Sequence, residues 1–167
     1  MEYIDLIASN EIYCPGVLEN SHILNFSTEQ GKKISRFRIS LSEPVTIESC
    51  SYLFIELRCS DPRHLLVDIL KGDVGLPEIN LVTESDGHFR FKRGNIKDFI
   101  DIKNVSEKQS FALPVNSFLI NTDLVNQNYS ANLFSEKIKT VYFDFLGSAD
   151  GCIKWELYRV GFINEPT

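Results

Sequence analysis

The segment Lys139–Ile163, KTVYFDFLGSADGCIKWELYRVGFI, decides the fold class. Val141, Phe143 and Phe145 alternate with Tyr142 and Asp144, the period of two of a strand with one buried face. Gly147-Ser148-Ala149-Asp150-Gly151 reads as a turn, after which Ile153, Trp155 and Leu157 resume the alternation. Two adjacent strands of an antiparallel sheet are expected, with Trp155 in phase with the core. Past Leu157 the inward phase moves to Tyr158, Val160 and Phe162, which predicts a bulge near Tyr158-Arg159.

The same alternation recurs upstream. In Tyr52–Cys59, Leu53, Ile55, Leu57 and Cys59 form the inward set, and Tyr52, Phe54, Glu56 and Arg58 the outward one. His22–Ser27 and Ser35–Leu41 read as a pair of strands joined by a hairpin loop at Glu29–Lys32, and Glu2–Ala8 and Glu11–Cys14 as short edge pieces. Further strands are expected at His64–Leu70, Ile79–Val82, His88–Lys92, Phe99–Ile102 and Ser110–Leu113, where Pro114 limits the last to an edge or a bulge. Asn116–Ser135 reads as a long connection with one helical turn near Ser117–Ile120. No long amphipathic helix, internal repeat or linker is visible. Roughly ten short strands with turn residues between them predict an all-β fold, a single antiparallel β-sandwich of the jelly-roll type over residues 1–167, with a closed barrel as the alternative.

Composition agrees and narrows the function classes. The 167 residues suit one domain, and twelve Phe and six Tyr against one Met favour pleated surfaces over helical bundles. A net charge of −6 argues against nucleic acid as a partner. The two short basic runs, Lys32-Lys33 with Arg36 and Arg38, and Arg90 with Lys92 and Arg93, read as solvated strand faces. Cys14, Cys50, Cys59 and Cys152 lack metal-ligand spacing; Cys59 reads as a buried free thiol, and the disulfide state of the four stays open. The acidic start Met1-Glu2-Tyr3-Ile4-Asp5 is no signal sequence and no apolar run spans a membrane. The compartment stays open, since the chain could equally be an excised domain of a secreted or cell-surface protein.

Three stretches carry a family resemblance: Leu41–Ile47 running into Ser51–Arg58, the strand at His64–Leu70, and the closing pair Val141–Phe145 and Trp155–Ile163. Together they resemble the galactose-binding-like jelly rolls, among them the non-catalytic carbohydrate-binding modules of polysaccharide-active proteins. The resemblance implies carbohydrate as the partner, a possible parent enzyme, and no cofactor beyond a structural calcium. The stretch matching the family's acidic calcium position reads Leu157-Tyr158-Arg159-Val160, so calcium would require Asp150 or Glu165 to stand in.

Sugar binding needs planar apolar surface and hydrogen-bonding groups for the hydroxyls. The outward residues that supply them are Tyr52, Glu56 and Arg58, Asp68, Tyr142 and Asp144, and Glu156 and Arg159. These could form one surface if their strands are neighbours, or they could be ordinary outward residues with cross-strand ion pairs such as Arg58–Asp144 and Glu56–Lys154. No G-x-S-x-G elbow or phosphate loop occurs, and His22, His64 and His88 have no recognisable nucleophile beside them. The leading expectation is a non-catalytic glycan-binding module. The alternatives are a structural or assembly β-sandwich, such as a phage, capsid or cell-surface protein or a homo-oligomer, meeting its partner through Phe54, Leu66 and Leu70, and a small hydrolase with paired carboxylates.

Overall fold

The computed structural model describes residues 3–8, 10–14, 24–65, 76–122, 124 and 133–164. Its strands form two antiparallel sheets. The first contains β1 (Tyr3–Asp5), β3 (Leu24–Ser27), β5 (Ser51–Asp61), β8 (Gln109–Pro114) and β11 (Lys154–Asn164), in the order β1-β11-β5-β8 with β3 also on β11. The second contains β2 (Glu11–Tyr13), β4 (Ile34–Thr46), β6 (Pro77–Thr83), β7 (His88–Phe91), β9 (Leu119–Ile120) and β10 (Lys137–Leu146), in the order β2-β4-β10-β6-β7-β9. The expected β-sandwich is therefore present. Among the described residues the helical content is slight: residues 63–65, a short helix α1 (Arg93–Ile96) and 3-10 turns at Ile102–Asn104 and Val115–Ser117.

The core lies where the alternation placed it. Leu53, Ile55, Leu57 and Cys59 on β5 and Val141, Phe143 and Phe145 on β10 are all buried, and Trp155 is 1% exposed. The two sheets meet through an aromatic spine. Phe145 lies 4.9 Å from both Phe26 and Trp155, Phe26 5.2 Å from Phe37, and Phe37 edge-on 5.9 Å from Phe143, measured between ring centroids. Such offset and edge contacts add to the area term for burying large rings.

Two strand pairings differ from expectation. β10 and β11 are not neighbours, because β10 pairs with β4 and β6 while β11 pairs with β5, β1 and β3. Likewise β3 and β4 are not a hairpin: β3 joins β11 and β4 joins β10. Both connectors cross from one sheet to the other and are bonded to each other at one end of the sandwich. The Gly31 amide donates to the Ser148 carbonyl at 3.0 Å and that of Gly147 to Lys33 at 2.7 Å. The Thr28 amide donates to the Ile153 carbonyl, and the Ile153 amide to Thr28 Oγ1, both at 2.8 Å. The physical reason is that alternation identifies the buried face of a strand but not its neighbour, so strands facing each other across the core look like strands side by side.

Other departures are local. Phe99–Ile102 is not a strand but the turn that follows α1 and opens a 3-10 helix. Residues 63–65 are helical, and the remainder of the expected His64–Leu70 strand lies outside the described residues. The turn expected near Ser117–Ile120 falls at Val115–Ser117 and leads into β9. Pro114 ends β8 at a sheet edge, as its missing amide requires. The predicted bulge is present: Leu157 opposes Leu57 and Arg159 opposes Glu56, which leaves Tyr158 as the extra residue. Val160 and Phe162 then continue the buried set, while Tyr158 stays half-exposed.

Candidate functional site

The outward face of the six-stranded sheet is set by register. With Phe37, Ile39, Val141, Phe143, Ile79 and Leu81 turned inward, their alternates turn outward. Tyr13 lies opposite Arg38, Arg38 opposite Tyr142, Tyr142 opposite Asn80, Asn80 opposite Arg90 and Arg90 opposite Leu119. These pairs form one row across all six strands, about 24 Å long at the usual strand spacing. The next row holds Arg36, Asp144 and Glu78. The row on the other side holds Ser40, Thr140, Val82 and His88.

Tyr142 and Asn80 form the floor, 3% and 1% exposed although they point away from the core. The Arg36 guanidinium lies 3.9 Å above the centre of the Tyr142 ring. Asp144 holds it there: Arg36 Nε donates to Oδ1 at 2.8 Å and Nη2 to Oδ2 at 3.0 Å. That carboxylate raises the Arg36 pKa above the ordinary guanidinium value. On the far side His88 Nδ1 lies 3.3 Å from the Tyr142 hydroxyl. Burial raises the Tyr142 pKa and lowers that of His88, so both are held in their neutral forms.

Asn80 Nδ2 donates to Glu78 Oε1 at 3.4 Å, while its Oδ1 is buried with no hydrogen-bond partner among the described residues. From α1, Arg93 braces the sheet by donating to the carbonyls of Leu76 at 2.6 Å and Asp144 at 2.8 Å. At the β2 edge Tyr13 is 58% exposed, with the Arg38 guanidinium 5.2 Å from its ring centre. The arrangement supplies an accessible aromatic plane and guanidinium donors along one line. Sugar rings and hydroxyls are recognised by these groups.

The sequence-predicted residues divide between the two faces. Tyr142 and Asp144 belong to the row system just described. Tyr52, Glu56 and Arg58 on β5 and Glu156 and Arg159 on β11 face outward from the opposite sheet. Asp68 lies outside the described residues, as do Leu66 and Leu70. The expected pair Arg58–Asp144 does not form, because the two side chains lie on opposite sides of the sandwich. Arg58 Nε instead lies 3.4 Å from Glu156 Oε2. Glu56 meets Lys108 at 4.0 Å rather than Lys154. Arg159 stacks between Tyr3 and Phe54, 4.5 and 5.2 Å from their ring centres, and Tyr158 donates its hydroxyl to Glu156. Burial and that carboxylate push the Tyr158 pKa up to about 12.

Sequence reasoning missed Tyr13, Asn80 and His88 as site members, and it read Arg36, Arg38 and Arg90 as solvated strand faces. The two basic runs were the available signal, and register was the missing information. For calcium, no group of three or more His, Cys, Asp or Glu side chains converges among the described residues, and Glu165 lies outside them.

No protein-family model and no curated protein matches the chain. Solved structures do. The family 11 carbohydrate-binding module of the cellulosomal cellulase Lic26A-Cel5E of Clostridium thermocellum superposes with a TM-score of 0.57 at 10% identity, covering 98% of this chain and 94% of that one. The chain has the jelly-roll fold of carbohydrate-binding modules. The family 30 module of cellulase Cel9D-Cel44B from the same organism gives a TM-score of 0.51 at 10% identity, covering 99% of this chain and 91% of that one. PfGH50B gives 0.59 at 9% identity over 99% of this chain, which spans 24% of the length of that larger structure. At these identities the likeness is one of fold.

Proposed function

We propose that the chain is a non-catalytic carbohydrate-binding module, accessory to a polysaccharide-active protein, that holds a glycan across the outward face of its six-stranded sheet. The observation that carries this reading is the row Tyr13–Arg38–Tyr142–Asn80–Arg90. In it, Tyr13 offers the stacking plane, and Tyr142, covered by Arg36, is floor rather than platform. Arg38 and Arg90 donate to the sugar, Asp144 positions Arg36, and buried Asn80 lies beneath as floor. Two structural neighbours matched over nearly their whole length are themselves carbohydrate-binding modules, which supports the reading. A shallow face buries little ligand surface, so modest affinity per site is expected.

The test is a polysaccharide and glycan-array screen with wild type and Tyr13→Ala. Binding that falls at least tenfold in the variant, with unchanged urea midpoint, supports the site. A screen with no ligand at high protein concentration overturns the function, and equal binding by Tyr13→Ala overturns the assigned face.

A second reading, assembly with a protein partner, is favoured by one observation: Leu119 and Ile120 on the edge strand β9 are 65% and 37% exposed, with Leu124 and Phe99 also exposed. Light scattering that shows oligomers, reversed by Leu119→Ser, would support it. The face first expected to carry such a contact is less suited, because Phe54 is packed against Tyr3 and Arg159.

A further inference from the structure

The proposed site says which kind of glycan it takes. Of the cations on or beside the outward face of the six-stranded sheet, three are already matched. Arg36 is chelated by Asp144, Lys139 is paired with Asp86, and Arg93 is bonded to two backbone carbonyls. Arg38 and Arg90 differ: neither has a carboxylate within ion-pair distance among the described residues. They occupy the same row, one on each side of Tyr142 and Asn80, three strand spacings or about 14 Å apart.

The acidic residues nearby do not neutralise that row. Asp144 is spent on Arg36, and Glu78 takes the Asn80 amide and lies in the field of Arg36 and Arg93. Glu11 lies opposite Ser40 at the sheet edge. Between the two guanidinium groups, Asn80 Oδ1 is buried and unsatisfied, an acceptor that lacks a donor. That oxygen is sealed in the floor, so what the row lacks is an anion at each of its two arginines. Guanidinium forks pair with oxyanions in two parallel hydrogen bonds, and half-buried Arg90 gains most from a charged acceptor.

We propose that the glycan held on this face is acidic, with carboxylate or sulfate groups that pair with Arg38 and Arg90. This rests on the glycan-binding reading and sharpens it. With the two backbone positions about 14 Å apart, the ligand carries its charges on separate sugars of one polymer. Charge alone is not sufficient, since the chain's net charge of −6 gives no general attraction for polyanions.

The experiment is affinity electrophoresis with the full chain against matched polymers: polygalacturonate and alginate with their carboxyl-reduced forms, a sulfated galactan with its desulfated form, neutral glucan and xylan, and polyglutamate. The expected result is binding to at least one acidic glycan at least tenfold tighter than to its neutralised form, weakened at least tenfold by R38Q and by R90Q. Which pair shows the contrast tells carboxylate from sulfate. Binding to neutral polymers as tight as to acidic ones overturns the inference and leaves the module reading standing. Equal binding of polyglutamate, or arginine variants indistinguishable from wild type, also overturns it. Failure of every polysaccharide, acidic and neutral, overturns the module reading itself. Unchanged urea midpoints for R38Q and R90Q, both substitutions on the sheet surface, separate loss of binding from loss of fold.

Discussion

Gly161 lies on β11 between Tyr3 and Phe54, whose rings meet edge-on at 6.2 Å across it. A Cβ there would collide with the Tyr3 ring and approach the Ile4 carbonyl oxygen to 2.5 Å, and the carbonyl cannot move without dragging β1. Gly161→Ala should cost about 1–3 kcal/mol, read as a lower urea midpoint. Cys59 is buried, and burial pushes its thiol up to about 12, whereas Cys50 is exposed. Native protein treated with iodoacetamide at neutral pH should be alkylated at Cys50 and spared at Cys59 until denatured. His88 has its folded pKa lowered below 6.5, chiefly by burial. The unfolded chain thus takes up the proton first, so this ring's contribution is fully present above pH 6.5 and is lost as pH falls through the folded value. Urea titrations of wild type and His88→Gln across that range should show a shallower decline for the variant.

At the scale of elements, the difference between what could and could not be read from sequence is a difference between face and neighbour. The inward sets of β5, β10 and β11 were legible because the side-chain period of a strand is two, and the bulge at Tyr158 because an inserted residue breaks that period. That Tyr142 and Asp144 share a face with Arg36 and not with Arg58 was not legible. It depends on strands some hundred residues apart in sequence, and each of β4, β5 and β11 offered an equally apolar inner face. The same limit hid Asn80, which with Glu78 alternates against Ile79 and Leu81 and so reads as an ordinary outward residue of its strand. Asp144 acts on its neighbour β4 by holding Arg36 over Tyr142. Asp144→Asn should release that guanidinium and lower affinity for a bound glycan by about tenfold, with the urea midpoint little changed, as titration calorimetry and unfolding would show.

For the whole molecule, stability rests on the aromatic spine joining the sheets, since the ion pairs lie at the surface, where such pairs contribute little. Trp155→Ala removes the largest side chain of that spine and should cost about 3–5 kcal/mol, seen as a large drop in thermal midpoint. The two faces also differ in use. On the five-stranded sheet Arg58 lies beside Glu156 and Lys108 beside Glu56, whereas on the six-stranded sheet Arg38 and Arg90 have no carboxylate within ion-pair distance among the described residues. The pairing of β1 with β11 has a further consequence, because Tyr3 lies directly opposite Ile163, with Cα atoms about 5 Å apart. The strand that opens the described chain and the strand that closes it therefore open and exchange as one unit of the five-stranded sheet.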